Sequence, residues 1–99
     1  MTFVTTQPEI MIAAAGDLQT VGTAVAAGNA AAATSTTGVV PAASDQVSAL
    51  TAARFAAHAV SYQSVSAQAA AIHEAFVSTL GASAGLYAVT EAANAAAAG

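Results

Sequence analysis

Two long stretches of this chain carry apolar positions at helical spacing, and one short stretch between them does not. In the first, Met11, Ala14, Leu18, Val21, Val25 and Gly28 recur at alternating intervals of three and four residues, which keeps one helix face turned toward a neighbour. Ala15, Gly22 and Ala26 flank that stripe, so another helix can approach closely along its edge. In the second, Val47, Arg54, His58, Tyr62, Val65, Ala69, Ile72, Phe76 and Leu80 fall on one side, with Phe55 and Val77 beside them. The break is TSTTGVVPAASD, where Gly38 and Pro41 sit among β-branched and hydroxyl-bearing residues that disfavour helix.

Local signals set the expected boundaries. Thr6 followed by Glu9 matches a capping box, in which each side chain satisfies a free backbone N–H, and Pro8 falls in the first turn where its missing donor does no harm. The first helix is expected over about residues 8–34 and the turn over about 35–44. Ser44 and Asp45 are good caps for a second helix over about 45–80, and Gly81 suits a left-handed C-cap. A separate segment over 81–91 and a mobile alanine-rich tail over 92–99 complete the expected organisation. The second helix would be roughly 50 Å long, which suits a rod in a hairpin or bundle.

Composition turns this pattern into a problem of burial. Hydrophobic residues make up 57% of the 99 positions, but 32 residues are alanine and only five are Phe or Tyr. Alanine favours helix because it loses no side-chain entropy, yet it buries little area. Two helices folded on each other have no interior shielded on all sides, so a wide apolar sector stays wet. The expected fold is therefore all-α: an antiparallel two-helix hairpin that completes a four-helix bundle with a partner protein.

Charge and chemistry narrow the function. One basic residue, Arg54, stands against Glu9, Asp17, Asp45, Glu74 and Glu91, for a net charge of −4. Phosphate binding draws on Lys and Arg, so nucleic acid is not expected as a partner and anionic membrane surfaces are disfavoured. Arg54 lies on the apolar stripe, where it either meets a carboxylate or carbonyl of the partner or reaches to solvent. The start, MTFVTTQPEI, has no cationic segment followed by an apolar run, so no cleavable general secretory signal is expected. Glu9, Asp17, Gln19 and Asn29 interrupt the best candidate for a membrane span.

His58 and His73 are the only strong candidates for metal or acid–base work, and fifteen residues on one helix separate them by roughly 22 Å. They cannot share a metal ion, and each reads as an interface or partly exposed residue on an aromatic-flanked stripe. None of the glycines follows an expected strand, so no phosphate-cradling loop is formed. The expectation is a non-enzymatic protein with no catalytic, cofactor-binding or metal-binding residues and no small-molecule substrate.

Three segments in order carry a family resemblance: Pro8-Glu9, then VVPAASDQVS over residues 39–48, then YAVTE over residues 87–91. On this alanine-rich two-helix frame, from Thr2 through Glu91, the chain resembles the PE domain of mycobacterial PE proteins. The resemblance implies a hairpin that pairs lengthwise with a PPE-family protein, two helices from each, and is exported with it by type VII secretion. It also implies a Tyr-x-x-x-Asp/Glu export signal, here Tyr87 and Glu91, with Glu where Asp is commoner. The family motif is Pro8 and Glu9. The partner interface is expected on Met11, Leu18, Val21, Val25, Phe55, His58, Tyr62, Val65, Ile72, Phe76 and Leu80.

The implied partners are thus a PPE protein and the type VII machinery, with a cytosolic chaperone contacting the PPE subunit. The implied location is outside the cell or at its surface, reached without a cleavable signal. Apolar faces do not name their partner, so the alternative is a self-associating helical bundle, a homodimer.

Overall fold

A computed structural model describes residues 3–99. Met1 and Thr2, where the expected domain and the family resemblance begin, lie outside the described residues. The described residues form two helices and no strand: α1 spans Pro8–Thr37 and α2 spans Gln46–Ala98.

The start of α1 differs in detail from the capping box. The Gln7 carbonyl accepts the N–H groups of Ile10 at 3.1 Å and Met11 at 3.3 Å, which makes Gln7 the cap and Pro8 the first helical residue. Thr6 therefore stands one residue too early to serve the helix through Glu9. Its N–H and hydroxyl turn instead to the carboxylate of Glu91, at the far end of the chain.

At its other end α1 runs on to Thr37, three residues past the expected stop. The hydroxyls of this stretch, expected to weaken the helix, are satisfied within it: Thr36 Oγ1 donates to the Ala32 carbonyl at 2.6 Å and Thr37 Oγ1 to the Ala33 carbonyl at 2.7 Å. The Gly38 N–H closes the end by donating to the Thr34 carbonyl at 3.1 Å. The loop from Gly38 to Asp45 then leads into α2, whose cap is Asp45. Asp45 accepts the Ser48 N–H at 3.0 Å through Oδ2 and the Ser48 hydroxyl at 2.7 Å through Oδ1.

The far end of α2 corrects the sequence-based boundaries. No left-handed cap forms at Gly81; the helix passes through Gly81 and Gly85 and continues to Ala98, for 53 residues in all. The glycine with positive φ is Gly99, at 76°, directly after the last helical residue. A glycine in a periodic helix is a stop signal on its own, but the alanine-rich sequence beyond Gly81 has the propensity to continue. The 92–99 stretch, expected as a mobile tail, is helical up to Ala98.

The chain forms two compact units, and each helix contributes to both: one unit holds the residues up to Gly22 with His73–Gly99, and the other holds Thr23–Ile72. In the terminal unit, Pro8, Met11, Ala15, Leu18 and Gly22 of α1 are buried or half-buried, as are His73, Val77, Leu80, Ala84 and Glu91 of α2. In the middle unit the same is true of Asn29, Ala33 and Thr37 on α1, and of Ala52, Ala56, Ala59, Gln63 and Ser66 on α2. The spacing within each set is mostly three or four residues, the signature of two helices packed along a shared seam.

Its chemistry is unexpected for a core: besides Pro8, the residues buried best are Ala15, Ala52, Ala59, Val77 and Ala84. Small side chains let the helix backbones close on each other, and the large side chains are left to point elsewhere. By length and composition alone, α1 is also long and apolar enough to cross a membrane. The few polar positions expected to interrupt such a span do not lower its apolar character enough to prevent this.

Candidate functional site

An alanine seam is short of register information. Small side chains interlock weakly, so polar bonds between the helices carry much of the alignment, as a single polar residue does in a coiled-coil seam.

In the middle unit, Asn29 takes two bonds from α2. The Tyr62 hydroxyl donates to Asn29 Oδ1 at 2.8 Å, and Gln63 Nε2 donates to the Asn29 carbonyl at 3.0 Å. In the terminal unit, His73 Nε2 donates to the Leu18 carbonyl at 2.7 Å. Gly22 makes the room for it: a Cβ there would lie 2.8 Å from His73 Cδ2 and 2.9 Å from Nε2. The close approach expected at Gly22 is real, and its occupant is an imidazole.

The third bond set closes the open end of the hairpin. Glu91 Oε1 accepts both the Thr6 N–H at 2.8 Å and the Thr6 hydroxyl at 3.0 Å, across 85 positions of sequence. Charge-assisted bonds of this kind are stronger than neutral ones. Leu80, Ala84, Tyr87 and Glu91 continue the three-and-four spacing of the seam; Ala84 is fully buried, whereas Tyr87 is 46% exposed. Helices rise equally per residue, so Tyr87 sits about 6 Å below Glu91 along the axis, level with the first turn of α1. The Pro8-Glu9 pair and the Tyr87/Glu91 pair, far apart in sequence, thus share one end of this unit.

The residues expected to form the partner interface divide into two groups. Met11, Leu18 and Leu80 are half-buried in the hairpin's own seam. Val21, Val25, Phe55, Tyr62, Val65, Ile72 and Phe76 are exposed, each between 52% and 71% of its full surface, and His58 is exposed as well. Pro8 is buried and Glu9 open to solvent.

On α2 of the middle unit, Phe55, His58, Tyr62, Val65, Ala69 and Ile72 follow a second three-and-four rhythm, offset from the buried one. Phe76 continues that spacing in the terminal unit, where Leu86 and Val89 are also exposed. α2 thus carries two apolar stripes, of which α1 covers one.

Beside this face the middle unit has an open groove of about 300 Å³ with an apolar lining, in which Val39, Phe55, His58 and Tyr62 take part. No cluster of three or more His, Cys, Asp or Glu side chains occurs among the described residues. Asp45, at the loop end of α2, has its carboxyl held below the usual aspartate range, first by the Ser48 hydroxyl and then by the Ser48 N–H.

Sequence reasoning places the exposed stripe and the motif pairs but misses Thr6, Asn29 and His73 as cross-links. Antiparallel register is the signal that could find them, since it sets Thr6 against the end of α2 once that helix is allowed to pass Gly81.

Comparison with known proteins supplies the remaining observations. Residues 4–94 match the sequence profile of the PE family. The chain is similar to the PE family protein PE13 of Mycobacterium tuberculosis, with 65% identity over 98 residues that cover 99% of each chain. It is similar to the PE family protein PE8 of the same organism, with 57% identity over 99% of this chain but 36% of that protein. With the PE-PGRS family protein PE_PGRS33, also of M. tuberculosis, identity is 54% over 97% of this chain and 19% of the relative. The chain therefore spans nearly all of one relative and only a minor share of the length of the other two.

Proposed function

As the chain belongs to the PE family, we propose that it is a non-enzymatic subunit which pairs lengthwise with a PPE-family protein and leaves the cell with it by type VII secretion. The observation that carries this reading is the inversion of the hairpin's packing: alanines inside, and Phe55, Tyr62, Val65, Ile72 and Phe76 outside. Fully covering an aliphatic or aromatic side chain is worth about 1.5–3 kcal/mol, so half-exposed residues on such a stripe gain on the order of 1 kcal/mol each from a partner. Loss of translational and rotational freedom offsets part of this sum. A partner with two apolar helices of its own fits the stripe and yields the four-helix arrangement.

Tyr87 and Glu91 are the residues proposed as the export signal, and the destination is the cell surface or the medium. The PPE subunit is the proposed contact for a cytosolic chaperone. The experiment is co-expression with candidate PPE proteins followed by size measurement. The reading expects a stable one-to-one complex with a PPE partner and an aggregating or poorly structured chain without one. A monomeric, sharply melting, highly helical chain at micromolar concentration overturns it, and a stable homodimer that ignores every PPE candidate replaces it with self-association.

A further inference from the structure

We propose that Thr6 is a positioning residue for the Tyr87/Glu91 signal, fastening the last turns of α2 to the start of α1 so that the signal is presented as one helical face and not as a linear tag. This rests on the export reading of Tyr87 and Glu91. Two observations point to it. The Thr6 N–H and hydroxyl converge on a single carboxylate oxygen, at 2.8 and 3.0 Å, in a part-buried setting. The stretch bearing the signal is also an extension of the buried seam, with fully buried Ala84 one turn before Tyr87 and half-buried Glu91 one turn after it.

The end of a helix frays unless something ties it down, and the glycines at 81 and 85 lower the propensity of this stretch. The clasp opposes fraying from a distance. It fixes the i, i+4 relation of Tyr87 and Glu91 on one face, where one receptor surface can meet both. With Oε1 occupied by Thr6, Oε2 is the carboxylate atom offered to such a receptor. A receptor that reads this face therefore senses whether the two ends of the hairpin are together.

The test uses the chain in complex with its co-expressed PPE partner, in parental form and as Thr6→Pro, Thr6→Val, Thr6→Ser and Glu91→Ala. Thr6→Pro removes both donors, Thr6→Val only the hydroxyl, and Thr6→Ser neither. Amide hydrogen exchange over residues 85–91 is read beside exchange over 52–66, and export from a mycobacterial host is scored on the same variants. The expected result is roughly tenfold faster exchange at 85–91 in Thr6→Pro, less in Thr6→Val and parental behaviour in Thr6→Ser, with 52–66 unchanged. Export should fall several-fold in the same order.

Unchanged exchange at 85–91 in Thr6→Pro overturns the proposal, as does faster exchange with parental export while Glu91→Ala is retained in the cell. In that last outcome the export reading survives and only the clasp's role is lost. Export of Glu91→Ala at the parental level removes the export reading itself, and the proposal with it.

Discussion

Thr6 and Glu91 meet: the backbone N–H and the hydroxyl of one residue both bond to a single oxygen of the other, closing the hairpin's open end across 85 positions. The bond is charge-assisted and part-buried, so removing the acceptor leaves two donors to find water. Glu91→Ala should destabilise the terminal unit by about 1–2 kcal/mol, and Glu91→Gln, which keeps an acceptor without the charge, by about half as much. Thermal unfolding, compared across the two variants and the parental protein, checks the order.

Gly22→Ala pits two effects against each other. Alanine is favoured over glycine in a helix by about 1 kcal/mol, but here its Cβ would stand 2.8 Å from the His73 ring. Moving the ring breaks its 2.7 Å bond to the Leu18 carbonyl. The variant should be destabilised by about 1 kcal/mol net. In a His73→Ala background the clash is gone, and the same Gly22→Ala change should stabilise by up to about 1 kcal/mol. A double-mutant cycle reads this reversal of sign.

Filling the seam should harm the hairpin, and emptying the outer stripe should not. Ala84 has no exposed surface, and Ala84→Leu should cost about 1–3 kcal/mol through overpacking. By contrast, Phe55→Ser with Ile72→Ser removes nothing from the seam, because both side chains are exposed, and should leave the free chain's helical content no lower than the parental one's by circular dichroism. If the outer stripe seats a PPE partner, the double variant should weaken that complex by more than about tenfold, measured by titration.

Asp45 gives a pH dependence with a definite sign. Its native carboxyl titrates below the usual aspartate range because Ser48 bonds the charged form. The stabilisation is therefore complete above the unfolded value of about 4 and is lost as pH falls through the lowered native value. The first turn of α2 should lose amide protection only in that acidic window. Asp45→Asn should remove the dependence, and an NMR titration of residues 45–49 tracks it directly.

Much of the fold is legible in the sequence, for identifiable reasons. Gly38, Pro41 and Asp45 act locally, so the turn and the start of α2 can be read from their neighbours. The exposed run from Phe55 to Phe76 can be read because its large side chains keep a helical rhythm. The buried stripe cannot, since hydropathy weighs alanine lightly and Ala52, Ala59 and Ala84 hide behind their larger neighbours. Met11, Leu18 and Leu80 are expected at the partner interface, and they lie half-buried in the hairpin's own seam.

Gly81 misleads because a glycine stops a helix only when the residues beyond it cannot carry the helix on, and here alanines can. Thr6 is paired with Glu9 because sequence reasoning favours the near acid over the far one. The family resemblance, carried by Pro8-Glu9, the turn segment and YAVTE, agrees with the profile match over residues 4–94.

The alanine seam has one more physical effect. Alanine has no rotamers to freeze, so the alanines of the seam lose almost no side-chain conformational entropy when the hairpin closes. The spacing of the two backbones is set by small groups, which decides where the outward aromatics stand. Where folding and association are one event, that saving leaves a larger share of the outer stripe's contact energy to appear as affinity.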